Sequence, residues 1–364
     1  MFDRRLVKHF DWVLLVMMVV LCVVGLANLY STTVLSMGKT IFYKQLMWFT
    51  IGFAIVFLSL LFNYHTLEQF ALPLYGVTLL LLAATLVIGP TVSGSKRWLV
   101  LGPMTVQPSE LAKLTLIIVL ARIFYRKDLH ESLGFRDLIL PVCVMGAPAL
   151  LILKEPDLGT AIMFFFVGGS IVLFIRVRWQ VVAAFAGILL TSLPFVWKML
   201  KQYQKSRILT FFNPDWDPLG AGYHVTQSKI AVGSGRMAGK GFLSSTQSNL
   251  NFLPEHHTDF AFSVLAEEWG FLGSVLVILL YLALIAWGLR VGRRSKDTFG
   301  ALLTVGIVAM IFWPMVINIG MVTGIMPVVG IPLPLISYGG SNAVTTLFAL
   351  GLLMNISMRR FLFK

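Results

Sequence analysis

PEHHTDFAFSVLAEEWGFLGSVLVILLYLALIAWGL, Pro254 to Leu289, passes from a polar string into an almost unbroken apolar run. The run from Phe262 to Leu289 exceeds the roughly 20 apolar residues a helix needs to cross a hydrocarbon core. The polar string ends the longest interruption in the chain, about 200–261. Outward from this junction the same alternation repeats. Apolar segments of spanning length lie near 12–30, 44–62, 70–88, 108–125, 138–153, 159–175, 181–199, 262–289, 299–322 and 341–358. The expected fold is therefore an all-α polytopic membrane protein, a bundle of about ten transmembrane helices. One long extracytoplasmic loop joins helices 7 and 8, and 1–364 form a single membrane domain.

Composition supports the same solvent. Hydrophobic residues make up 57% of the 364-residue chain and charged residues only 12%, with a mean hydropathy of +0.85. That leaves too little polar surface to cover a soluble domain of this length. The first apolar run is long for a signal peptide and lacks a small-residue cleavage site, so it reads as a retained helix.

Lys and Arg set the orientation. With a cytoplasmic N-terminus, one side collects Arg4, Arg5 and Lys8; Arg122, Arg126 and Lys127; Arg176 and Arg178; Arg290, Arg293 and Arg294; and Arg359 and Arg360. Both termini are then cytoplasmic and the long loop lies outside. The net charge of +13 follows from this asymmetry and from anionic headgroups, and it calls for no nucleic acid. Cys22 and Cys143 fall inside helices as small packing residues. Four polar interruptions, 89–107, 154–158, 200–261 and 323–340, converge on the outer face, where a site is expected.

Asp259 stands beside Phe260, Ala261 and Phe262 where the chain re-enters lipid. Desolvation raises the pKa of such a carboxylate toward the range useful to a general base; an N-cap on the following helix is the plainer reading. Glu255, His256 and His257 crowd the same place but lack the spacing that puts two imidazoles on one helical face. A tight zinc site is not indicated. A loosely held divalent cation, Mg or Mn, assisting a phosphate stays open, and no other cofactor is called for.

Glu110 and Lys113 lie three apart on one face of the fourth helix. Intramembrane charges cost about 2.5–3.5 kcal/mol each on insertion scales, so the pair either locks helices together or faces a polar cavity. Glu155 and Asp157 flank Pro156, serving a turn or lining the outer cavity. The glycines Gly233, Gly235, Gly239 and Gly241 permit close backbone approach to a ligand, although no GxxxxGK[ST] register exists. Around Tyr223, Gln227, Ile230 and Ala231 the spacing suggests a short interfacial helix. Lys96, Arg97, Arg207, Arg236 and Lys240 lie on the outer face, where a lipid-linked phosphate would meet them. PLPLISYGGSN, Pro332 to Asn342, with Ser337, Gly339 and Gly340, reads as a broken helix beside a site or as a turn.

Taken in order, SKRWL (95–99), QPSELAK (107–113), PDLGT (156–160), NPDWDPLGAGYHVTQSKIAVGSG (213–235), GKGF (239–242), PEHHTDFAFSVLAEEWG (254–270) and ISYGGS (336–341) resemble the SEDS family (shape, elongation, division and sporulation), in its elongation branch. The resemblance covers nearly the whole chain. It implies a peptidoglycan glycosyltransferase that polymerises lipid II on the outer face of the cytoplasmic membrane. It also implies a class B penicillin-binding protein as partner, within a rod-shape complex that includes MreB. Asp259 matches the family's essential acidic residue, Glu110 and Lys113 its membrane charges, and Arg97 its outer-loop arginine. Glu155 stands where Gln is usual, Arg236 and Met237 replace a more usual Gly-Leu, and Trp269 replaces Leu. A lipid II flippase and a non-catalytic scaffold for the penicillin-binding protein are the rival readings of a ten-helix chain with intramembrane charges.

Overall fold

The computed structural model describes residues 9–34, 38–91, 95–102, 104–127, 132–213, 217, 220–249, 252 and 257–360. Each of the ten expected spans coincides with a helix. Seven precede the long interruption: α1 (Trp12–Thr33), α2 (Thr40–Leu61), α3 (His65–Ile88), α4 (Pro108–Tyr125), α5 (Phe135–Lys154), α6 (Leu158–Phe174) and α7 (Trp179–Met199). The interruption is itself largely helical, with α8 (Gln202–Phe212), α9 (Ala221–Ser234) and α10 (Thr246–Asn249). Then follow α11 (Ala261–Arg293), α12 (Thr298–Thr323) and α13 (Gly340–Arg359).

Eight of these helices are long and apolar enough to cross a membrane by themselves. The other two depart for visible reasons: α6 is a turn short at 17 residues, and α4 carries Glu110, Lys113 and Arg122. Most of α12 and α13 is enclosed by the other helices, whereas α7 is exposed along nearly its whole length. The bundle's centre is therefore α12 and α13, with α13 packed on α2 and α12 on α11, α4 and α6. Cys22 is buried in this core and Cys143 is exposed on α5.

Polar side chains stitch helix ends where the lipid offers no partners. Asp11 caps α1 through Leu14 N (3.1 Å) and accepts from Trp287 Nε1 (3.0 Å) and Ser357 Oγ (2.6 Å), so it joins α1, α11 and α13. The 89–107 segment contains an antiparallel hairpin, β1 (Leu99–Leu101) and β2 (Met104–Val106), which helical periodicity did not anticipate. Helix α9 matches the short helix expected around Tyr223–Ala231, but it is docked on protein. Ser228 Oγ donates to Val322 O (2.7 Å) and lies 2.8 Å from Ser263 Oγ.

The glycine-rich segment after α9 has a structural task. Helix α11 breaks at Gly270, whose φ of 68° and ψ of −163° take it out of the helical region. A break frees carbonyls before it and amides after it, and each must find a partner. The glycine loop supplies them. Lys240 N and Gly241 N donate to Glu267 O and Glu268 O, both at 3.0 Å, while Phe271 N and Leu272 N donate to Arg236 O (2.8 Å) and Met237 O (3.1 Å). A Cβ on Gly239 would come within 2.0 Å of Glu268 O, and one on Gly235 within 2.0 Å of Ala266 O. Close approach is thus to the α11 backbone rather than to a ligand. Arg236 has a φ of 50° here, which accounts physically for glycine being the more usual residue at its position.

Candidate active site

All four interruptions expected on one face contribute to a single cavity of about 230 Å³. The first brings Arg97, and the second Pro156, Asp157 and Leu158. The third brings Tyr203, Gln204, Arg207 and Asp259, and the fourth the run from Pro327 to Gly330. Its floor is the start of α6, where Gly159 and Ile162 face inward.

Arg97 spans from the first interruption to the second. Its Nη1 lies 3.2 Å from Asp157 Oδ2, and its Nη2 donates to Pro156 O at 2.9 Å. Asp157 also caps α6, accepting from Thr160 N (3.0 Å) and Thr160 Oγ1 (2.9 Å). The turn and cavity readings of Asp157 therefore both hold. Tyr203 Oη donates to Pro156 O at 2.9 Å, and the Arg207 guanidinium lies 5.9 Å from the Tyr203 ring centre. Arg207 Nη1 also donates to Val329 O at 3.3 Å, so it pins the fourth wall.

Asp259 sits in the turn before α11. It stands one residue ahead of the N-cap position, which Phe260 holds. The Asp259 carboxylate borders Gly330, whose φ is +77° and on which a Cβ would stand 3.1 Å from Asp259 Oδ2. Asn318 Nδ2 donates to the Asp259 main-chain carbonyl at 2.9 Å.

Other expected residues lie elsewhere. Lys113 Nζ is 2.9 Å from Glu110 Oε1, both are buried, and Asn342 Nδ2 donates to Glu110 Oε2 at 3.1 Å. Of the two readings, the helix lock describes this pair, tying α4 to α13. Lys240 is turned away from the cavity onto Glu267, 2.6 Å from Oε1, and also donates to Thr246 Oγ1 at 2.9 Å. Glu155 is buried beside the cavity rather than in it, accepting from Thr85 Oγ1. Burial, reinforced by Asp157, outweighs the Thr85 bond and Arg97 and pushes its carboxyl up to about 7.

His257 accepts from Tyr338 N through its main-chain carbonyl (2.9 Å), with the two rings 6.0 Å apart. Ser337 Oγ accepts from Leu333 N (2.9 Å), Gly339 N donates to Gln45 Oε1 (3.2 Å), and a Cβ on Gly340 would meet the Trp48 ring at 2.3 Å. The 332–339 stretch is accordingly irregular backbone, and with the first turn of α13 it is braced against α2. Among the described residues no group of three His, Cys, Asp or Glu side chains is placed to hold a metal ion; Glu255 and His256 lie outside them. Asp157 is already engaged by Arg97.

Tyr203 and Gln204 line the cavity, and Asn318 bonds the Asp259 main chain, without having been singled out in the sequence. Asn318 carried a usable signal, being the lone amide side chain in an otherwise apolar helix.

A multi-pass helical membrane protein with a mixed acid and guanidinium cavity at one end of its bundle is the class so defined. A family model of cell cycle proteins covering FtsW, RodA and SpoVE matches residues 6–361, and the chain belongs to that family. Peptidoglycan glycosyltransferase MrdB of Escherichia coli K12 is 41% identical over 294 residues, covering 80% of this chain and 79% of that one. Peptidoglycan glycosyltransferase RodA of Treponema pallidum is 32% identical, covering 98% and 99%. Two solved structures have the same fold. One comes from work on the structural coordination of polymerization and crosslinking by a peptidoglycan synthase complex (TM-score 0.82, 33% identity, 97% and 98% covered). The other is the rod shape determining protein RodA of Thermus thermophilus (TM-score 0.72, 30% identity, 97% and 98% covered).

Proposed function

We propose that this chain is a peptidoglycan glycosyltransferase of cell elongation, polymerising lipid II into β-1,4 glycan strands on the outer face of the cytoplasmic membrane. The observation that carries the assignment is the convergence of Asp259, Arg97 and Arg207 on one cavity at the end of the bundle where the long interruption lies. Family membership and relatives named for this activity support it.

The chemistry follows from the groups present. Asp259 takes the proton from the acceptor sugar's 4-hydroxyl as that oxygen bonds to the donor's anomeric carbon. The bond from that carbon to the diphosphate oxygen breaks on the opposite side, its electron pair leaving with undecaprenyl diphosphate, and the centre inverts. A diphosphate needs no protonation to leave, so one carboxylate suffices, unlike the paired carboxylates of glycoside hydrolases. Arg207, and Arg97 where Asp157 leaves it charge to spare, meet the developing negative charge. Lipid tails remain between helices while the sugars react at the surface.

Both termini then face the cytoplasm, in line with the Lys and Arg distribution. A crosslinking partner of the class B penicillin-binding type fits the synthase complex in which the similar structure was solved, with MreB as the cytoskeletal side of the assembly. The flippase reading asks for polar groups through the bilayer depth, and Glu110 and Lys113 are instead closed on each other and Asn342.

Purified protein, alone and with its partner, incubated with labelled lipid II tests the assignment. Wild type makes glycan chains, and Asp259→Asn, folded and partner-bound, is slower by about 10²–10⁴-fold. Equal polymer from both removes Asp259 from the mechanism.

A further inference from the structure

Asn318 lies about four-fifths of the way along α12, wholly buried, in a helix whose other residues are apolar apart from Thr and Trp. An amide buried among apolar side chains is unfavourable unless it is bonded, and here the bonds are made at its donor end. Nδ2 makes two of them, to Asp259 O at 2.9 Å and Ile331 O at 2.7 Å. Both partners are carbonyl oxygens, which fixes the donor end of the amide toward them. The first is the main chain of the proposed base. The second follows Gly330, the residue that borders the Asp259 carboxylate. One residue earlier, Val329 O holds Arg207.

We infer that Asn318 is a positioning residue: its amide fastens the Asp259 peptide to the Val329–Ile331 segment and so sets where the carboxylate stands relative to Arg207. The inference rests on the reading of Asp259 as the base. Three parts meet through this amide: α11 carries the base, the segment after α12 forms the wall, and α8 carries the cation. A rigid strut between base and wall has value in catalysis because a misplacement of about 1 Å can cost about 10²-fold in rate. Ground-state binding of a long lipid-linked substrate, spread over many contacts, is far less sensitive to such a shift.

Asn318→Gln tests this with the hydrogen-bonding chemistry kept and the reach lengthened by one methylene. Asn318→Leu removes the donor, and Asp259→Asn is run in parallel with labelled lipid II. Expected for Asn318→Gln is a Tm near that of wild type and a kcat lower by about 10–100-fold. KM for lipid II should move by no more than about twofold, since the change alters placement rather than binding. Asn318→Leu should fall at least as far in kcat per folded molecule.

Wild-type kcat from folded Asn318→Gln, or a loss confined to KM, overturns the inference even if Asn318→Leu fails to fold. If Asp259→Asn is inactive while Asn318→Gln is normal, this inference alone fails. If Asp259→Asn polymerises normally, the reading of the base fails and the inference goes with it.

Discussion

The cavity around Asp259 and the loop around Glu267 are made from the same residue types: carboxylates, cations and glycines contributed by the polar segments at one end of the bundle. In the loop Lys240 and the buried Glu267 consume each other. Glu267, fully buried, accepts from Lys240 Nζ (2.6 Å), Ser245 Oγ (2.6 Å), Thr246 N (3.1 Å) and Thr246 Oγ1 (2.8 Å). The glycines there admit the α11 backbone. In the cavity, Arg207 binds a carbonyl rather than a carboxylate, and the glycine beside Asp259 keeps a side chain out of the space in front of it. Saturation of charge, more than its presence, separates a brace from a site.

Glu267→Ala should give the largest effect on stability. It leaves Lys240 and the Ser245 and Thr246 donors without their acceptor, a loss of about 1–3 kcal/mol for each buried donor left unpaired. Thermal unfolding in detergent reads it, and the activity of the protein that stays folded should remain within about threefold of wild type. Strong loss of kcat at unchanged Tm would instead move the loop into the site.

Glu155→Gln probes the border between the two regimes. A carboxyl raised from its ordinary 4.5 to about 7 binds its proton more tightly in the folded chain than in the unfolded one, so ionisation opposes folding. Stability is unaffected below about 4.5, falls as pH rises toward 7, and stays reduced above. A shift of that size corresponds to about 3 kcal/mol. Glu155→Gln should therefore raise Tm at pH 8 and leave it nearly unchanged at pH 4.5; equal shifts at both would mean that the carboxyl is not held protonated. Arg207→Gln, by contrast, should lower kcat by about 10²-fold with little change in Tm, measured by lipid II polymerisation beside a melting curve.

Most of the fold was legible because membrane spans announce themselves by length and apolarity. All ten were readable, down to Leu158–Phe174. The hairpin at Leu99–Val106 was not, since two three-residue strands carry no periodicity. At the site, Arg97, Asp157, Arg207 and Asp259 were found from residue type and from lying on one predicted face. The roles of Lys240 and the glycines were misjudged because the deciding partner is distant in sequence: Lys240 is satisfied by Glu267, and Gly239 faces Glu268. Asp259 was read as cap or base, and it lies one residue ahead of the N-cap position held by Phe260.

The interruption of α11 at Gly270 makes this long rod a jointed one. Its lower arm, from Phe271 down, leans on the helices of the bundle, and the glycine loop is laced to both arms, by two hydrogen bonds before the joint and two after it. Bonded on both sides, the bend is held at one angle by the loop. The upper arm, and the carboxylate just ahead of its first residue, thereby keep a set heading relative to the long lower arm.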